Sequence, residues 1–143
     1  MTELSKLLRP GLVLDDDVQT LYKHAKSNQY ALPAVNVVNS NSNSINAALE
    51  AAAKANSPIV IQLSNGGASF FLGKGVKLKS HNSAVAGAIA AAKYVHAVAH
   101  LYGVPVMLHT DHAAKKLLLG LMICFWQESN TFLKQVNLYL VRT

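Results

Sequence analysis

Apolar positions follow two alternating rhythms along this chain. Behind the carboxylates Asp15-Asp16-Asp17, which suit a helix start, Val18, Leu21, Tyr22 and Ala25 recur at helical spacing and predict a helix running to Asn28. Ala31 to Val38 is a short continuous apolar run with Pro33 near its beginning and reads as a buried strand. The tract from Asn39 to Ser44 repeats Asn-Ser and is a loop, whose last serine can cap a helix over Ile45 to Ala55. Pro58 to Leu63 is the second strand and closes on Ser64-Asn65-Gly66-Gly67, which reads either as a plain turn or as a tract of small residues that lets backbone amides approach an anion such as a phosphate. A loop rich in glycine and lysine follows, then a long alanine-rich helix from Ser83 to Tyr102, ended by Gly103. The third strand is Val104-Pro105-Val106-Met107-Leu108, and it delivers His109-Thr110-Asp111-His112.

Strand and helix alternate three times, which predicts an α/β fold with a parallel sheet. In such sheets ligands bind beyond the carboxyl ends of the strands. Polar residues stand at that end of every predicted strand: Asn36 late in the first, Ser64 after the second, Asp111 and His112 after the third. Three separate elements therefore aim chemistry at one rim.

Composition narrows the class. The 143 residues are 51% hydrophobic and only 14% charged, enough for a packed core and against disorder. The net charge of +6 is spread over single lysines, apart from Lys115-Lys116 and the alternating Lys74, Lys77 and Lys79. No dense arginine-rich or aromatic-basic module is present, so nucleic acid is not an expected partner; an acidic small molecule such as a phosphate ester fits the scattered lysines better. One cysteine, Cys124, excludes an internal disulfide and suits a reducing compartment. The N-terminus lacks the layout of a signal peptide, and the apolar run from Leu117 to Trp126 is too short to span a bilayer. The expected location is the cytoplasm, with no membrane partner.

An aspartate beside an imidazole at a strand end supplies a proton-transfer group next to a metal ligand, the minimal equipment for metal-assisted carbonyl chemistry. A pair of this kind is also common as a surface or capping pair. Five blocks in order decide between the readings: Ala-Leu-Pro-Ala-Val-Asn at 31–36, Ser-Asn-Gly-Gly-Ala-Ser at 64–69, Gly-Lys-Gly-Val-Lys at 73–77, Tyr-Gly-Val-Pro-Val at 102–106 and His-Thr-Asp-His-Ala-Ala-Lys-Lys-Leu-Leu at 109–118. Together they resemble the class II, zinc-dependent fructose-bisphosphate aldolases.

The resemblance implies the first three βα units of a TIM (β/α)8 barrel, an incomplete barrel, in a family that is usually homodimeric. It implies a carbon–carbon lyase (an aldehyde-lyase) of glycolysis and gluconeogenesis, which reversibly splits fructose 1,6-bisphosphate into dihydroxyacetone phosphate and glyceraldehyde 3-phosphate. It makes His112 a zinc ligand and Asp111 the group that relays a proton at the aldehyde carbonyl. Ser64 and Asn36 become residues that hold the dihydroxyacetone phosphate part of the sugar phosphate. Zinc polarises the ketone oxygen and stabilises the enediolate left when the bond breaks. His24, His81, His96, His100 and His109 match no ligand of the family.

The departures are as informative. The family's other zinc ligands, a glutamate and two histidines, have no counterpart here, and one ligand cannot hold a catalytic zinc where three are expected. The Asn39–Ser44 loop is two residues longer than usual. The sharpest change comes at Leu118, where Leu119-Gly120-Leu121-Met122-Ile123-Cys124-Phe125-Trp126 replaces the family's Pro-Trp-x-Asp continuation. Restoring one lost base there turns a CTT codon for Leu119 into CCT, proline. The following junctions permit Trp, Leu, Asp, Asp, Leu, Leu, Leu, Ala, Gly, Glu, with Met122-Ile123 forcing GAT and Trp126-Gln127 forcing GCA. The family reads much the same. The expected organisation is thus a truncated aldolase barrel domain over 1–118 and an out-of-frame tail over 119–143, the chain being inactive by itself. The alternative is a non-catalytic barrel fragment that serves only as a binding or assembly partner.

Overall fold

The computed structural model describes residues 3–37, 41–75 and 83–111. His112, Lys77, Lys79, Lys115, Lys116 and the whole 119–143 segment lie outside the described residues. The elements run α1 (Glu3–Leu7), β1 (Gly11–Leu12), α2 (Asp16–Ser27), β2 (Ala34–Asn36), α3 (Ser42–Ala55), β3 (Ile59–Leu63), α4 (Asn65–Leu72), α5 (Ser83–Val98), a 3-10 turn (Ala99–Tyr102) and β4 (Pro105–Thr110). The three expected strands are β2, β3 and β4. They pair in parallel as neighbours, with Asn36 opposite Gln62 and Gln62 opposite His109.

A fourth strand, β1, was not expected. It completes the order β1-β4-β3-β2 by pairing Gly11 with Pro105 and Leu12 with Val106. Two residues carry no periodic signal, so the strand is specified by its neighbours. Gly11 sits at φ +106°, and a Cβ there would meet the Cβ of His100 at 3.2 Å.

Period-two alternation divides the sheet into two faces. One face carries Ile59, Ile61, Leu63, Val104 and Val106, packed with Ile45, Leu49 and Ala52 of α3 and Ala91 and Val95 of α5. The other carries Val60 and Met107 against Leu4 and Leu8, Val13, and Val18 and Leu21 of α2. Ile61, Val106, Ile45, Leu49, Leu21 and Val95 are among the largest fully buried side chains, so the core lies on both sides of β3 and β4. Tyr22, although at helical spacing with this set, is exposed.

Several local devices differ from their sequence readings. The first strand contracts from 31–38 to Ala34–Asn36, yet the bonding runs wider: the Pro33 carbonyl accepts from Val60 N at 2.9 Å and Val37 N donates to the Gln62 carbonyl at 3.1 Å. Pro33 fits because only its acceptor is used. The cap of α3 is Asn41, not Ser44: Asn41 Oδ1 accepts from the Ser44 backbone N–H at 2.8 Å. The asparagine carbonyl has the reach for this bond, and the helix gains a first turn.

Ser64-Asn65-Gly66-Gly67 is not a turn but the cap and first turn of α4, where Ser64 Oγ accepts from Gly67 N at 3.1 Å. The helix is possible because α5 lies directly against it. A Cβ on Gly87 of α5 would fall 1.7 Å from the Ala68 carbonyl oxygen, so the two helices meet where neither has bulk. The stretch from Ser83 to Tyr102 is long and apolar enough to cross a membrane by length and composition. About a third of its apolar window is buried in the core, Ala84, Val85, Ala91, Val95 and Ala99 among those positions. Gly103 ends it in the left-handed conformation, φ +73°, as expected.

Two outcomes check this packing in urea unfolding. Gly87→Ala should cost about 3 kcal/mol, because a backbone carbonyl blocks the new methyl. Gly66→Ala, with nothing within 4 Å of the added Cβ, should leave stability unchanged or raise it by about 0.5 kcal/mol; equal midpoints for the two variants would contradict the close approach. Asn41→Ala should cost about 1 kcal/mol, whereas Ser44→Ala should cost a few tenths of that, since Ser44 contributes only its backbone N–H to the cap.

Candidate functional site

Strand ends set the site. Asn36 is the last residue of β2, Ser64 follows β3 directly, and Asp111 follows β4, so all three stand at the carboxyl rim of the parallel sheet. The Asp111 backbone N–H donates to the Leu63 carbonyl at 2.9 Å, which continues the β3–β4 ladder one step and fixes where the side chain leaves the sheet.

Asn36 and Asp111 are 75 positions apart in sequence and in direct contact. The Asn36 carboxamide donates from Nδ2 to Asp111 Oδ2 at 2.7 Å. A short bond from a neutral donor to a carboxylate oxygen is charge-assisted and helps orient the carboxyl group. Ser64 joins from the other side. With Asp111, Asn65 and Thr110 it lines a hollow of about 10 Å³, floored by Leu63, Ala68, Ala84 and Ala88, which is room for one water. The Ser64 oxygen is engaged as the cap of α4, and its hydroxyl hydrogen remains a donor for a ligand at the rim. The first turn of α4 adds the partial positive charge of a helix N-terminus at the same place.

Thus three of the four expected site residues are described and converge. The fourth, His112, lies outside the described residues. Among the described residues no group of three or more His, Cys, Asp or Glu comes close enough to hold a metal ion. Zinc therefore has no donor set among the described residues.

One polar residue escaped the sequence reading. Gln62 lies inside β3, where the run Ile-Val-Ile-Gln-Leu reads simply as a buried strand. It is opposite both Asn36 and His109, and its Oε1 lies 3.2 Å from His109 Nδ1. Alternation would have found it: Asn36, Gln62, His109 and Asp111 all fall on the same face once the register is known. Of the remaining histidines, His81 lies outside the described residues and the others stand elsewhere. His24 Nδ1 meets the Tyr30 hydroxyl at 2.8 Å at the end of α2. His96 is half-buried on α5, where burial pushes its pKa below the usual histidine value, and His100 is exposed.

Similarity to known proteins places the chain in a family. Residues 16–129 match the family model described as fructose-bisphosphate aldolase class-II. A fructose-bisphosphate aldolase of Edwardsiella ictaluri is 54% identical over 118 residues, which is 82% of this chain and 32% of that protein. The class 2 enzyme of Escherichia coli K12 is 53% identical over 119 residues, 82% of this chain and 33% of its own length. The chain thus spans about a third of the curated relatives it matches. The crystal structure of the Campylobacter jejuni fructose-bisphosphate aldolase superposes with a TM-score of 0.78 at 48% identity, covering 89% of this chain and 36% of that one. The parallel sheet and its βα units are accordingly part of a TIM barrel, and the chain belongs to the class II fructose-bisphosphate aldolase family.

Proposed function

We propose that this chain carries the first part of the site of a zinc-dependent aldolase of the cytoplasm, one that reversibly cleaves fructose 1,6-bisphosphate to dihydroxyacetone phosphate and glyceraldehyde 3-phosphate in glycolysis and gluconeogenesis. The observation that supports it best is the 2.7 Å bond between Asn36 and Asp111 at the carboxyl rim, beside the Ser64 cap. In the cleavage direction the C3–C4 bond breaks, the C4 hydroxyl loses its proton as it becomes the aldehyde, and the electron pair stays on the ketone fragment. Asp111 is the base for that hydroxyl proton and returns it when the bond forms. Asn36 orients the carboxylate at the rim through one of its oxygens. The Ser64 hydroxyl and the first turn of α4 are suited to the phosphate-bearing ketone half. His112 is the one ligand that this chain offers by family resemblance, and a zinc held there with ligands from elsewhere would supply Lewis-acid polarisation of the ketone oxygen.

Residues 119–143 are, in the same reading, translated out of frame. The codon junctions after Leu118 permit the family's continuation once a single base is restored, and each junction allows few residue types. The family match runs on to residue 129, past that junction, so the DNA and not the match decides. The tail's Cys124, Trp126 and Tyr139 then have no role.

Sequencing genomic DNA and transcript across the Leu118–Leu119 junction tests the reading. A protein made from the locus with the base restored should cleave fructose 1,6-bisphosphate, lose activity to a chelator and regain it with zinc, while the 143-residue chain shows nothing above background. In the restored protein Asp111→Ala should lower kcat by about 10²–10⁴, the range for a lost general base. Zinc-dependent cleavage by the 143-residue chain, or a locus in which no single-base change recovers the family sequence, would defeat the proposal.

A further inference from the structure

Asn36 and Asp111 stand on strands that do not touch, because β3 runs between β2 and β4. Adjacent strands are about 4.8 Å apart, so these two backbones are separated by roughly 9–10 Å across the sheet. The 2.7 Å contact between the side chains therefore arches over β3. The contact runs diagonally, since Asp111 lies two residues beyond His109, and at its Asn36 end stands Gln62, the register partner of both Asn36 and His109.

A glutamine at that position is long enough to reach either neighbouring strand. Turned towards β2, its carboxamide would compete for the Asn36 amide and fill the space that Asn36 crosses. In the structure it is turned the other way, with Oε1 at 3.2 Å from His109 Nδ1. A carboxamide oxygen can only accept, so the ring nitrogen facing it carries the hydrogen.

We propose that His109 and Gln62 are positioning residues for the Asn36–Asp111 pair: His109 holds the Gln62 carboxamide on the β4 side, and the space over β3 stays open for Asn36 to reach Asp111. Neither residue touches the reacting atoms. The proposal rests on the reading of Asn36 and Asp111 as parts of the substrate site, and it explains why a polar pair stands just above the apolar layer of Val60 and Met107.

Two substitutions at one position separate this from a merely structural role. His109→Asn keeps an N–H donor near the place of Nδ1, whereas His109→Gln carries its donor further out, towards the place of Nε2. The readout is hydrogen exchange of the Asn36 carboxamide in the ¹⁵N-labelled 143-residue chain, with the backbone amides of Ile61 and Met107 as the fold control. In the unsubstituted chain His109 should show the Nδ1–H tautomer and the Asn36 carboxamide should be protected. His109→Asn should leave its exchange within about twofold, and His109→Gln should speed it about tenfold, the scale of one lost hydrogen bond, with the backbone amides unchanged. An unprotected carboxamide in the unsubstituted chain, an Nε2–H tautomer, equal exchange in both variants, or backbone amides that loosen in step with the carboxamide would each overturn the proposal. None of these readouts involves aldolase activity, so a failure of the arch and a failure of the reading frame are told apart.

Discussion

Everything in this structure depends on the parallel pairing of Ile59–Leu63 with Pro105–Thr110. Five consecutive register pairs, Ile59 with Val106 through Leu63 with Thr110, join the two strands, and both of their faces are covered. Burial on both sides makes the register hard to slip, since a shift of one residue would carry Val60 and Met107 into the helix layer and Ile61 and Val106 out of it. The chemistry inherits that rigidity. His109 is opposite Gln62 and Asp111 is anchored to the Leu63 carbonyl only because the apolar residues below them are already in step.

The same alternation explains how a largely apolar sheet presents a polar rim. The face lined by Val60 and Met107 near the strand starts turns polar two residues later with Gln62 and His109, and polar again with Asp111. Helices α1 and α2 close the apolar end of that face and leave the carboxyl end open. Burial and reactivity are thus distributed along one face by distance from the strand starts, the arrangement on which barrel enzymes rely.

The order of strands and helices, and three of the rim residues, were legible in the sequence, because long periodic segments and strand ends are local signals. What was not legible has a common cause. Strand β1 exists only because Gly11 can sit beside His100 and Pro105, and helix α4 exists in place of a turn only because Gly87 lets α5 come against Ala68. Each is decided by a neighbour far along the chain. Gln62 stayed hidden for a related reason: within an apolar strand a single glutamine has no local signature, and its meaning appears only when β2 and β4 are placed on either side of it. The cap of α3 moved from Ser44 to Asn41 within a repeating Asn-Ser tract, where several residues can serve and geometry chooses.

The rim residues differ in how much of the fold each depends on. Ser64 is held by a bond to Gly67, three residues on, and Asp111 by the next rung of a ladder already formed. Either could be placed by a short piece of the chain. Asn36 is different, since it stands on an exposed edge strand of three residues and, among the described residues, its side chain is held by Asp111. Its position thus reports on the whole sheet: β2 must pair with β3, β3 with β4, and the sheet must curve towards these side chains before a carboxamide on one strand reaches a carboxylate two strands away. The Asn36–Asp111 bond is therefore the contact at the carboxyl rim that asks most of the fold.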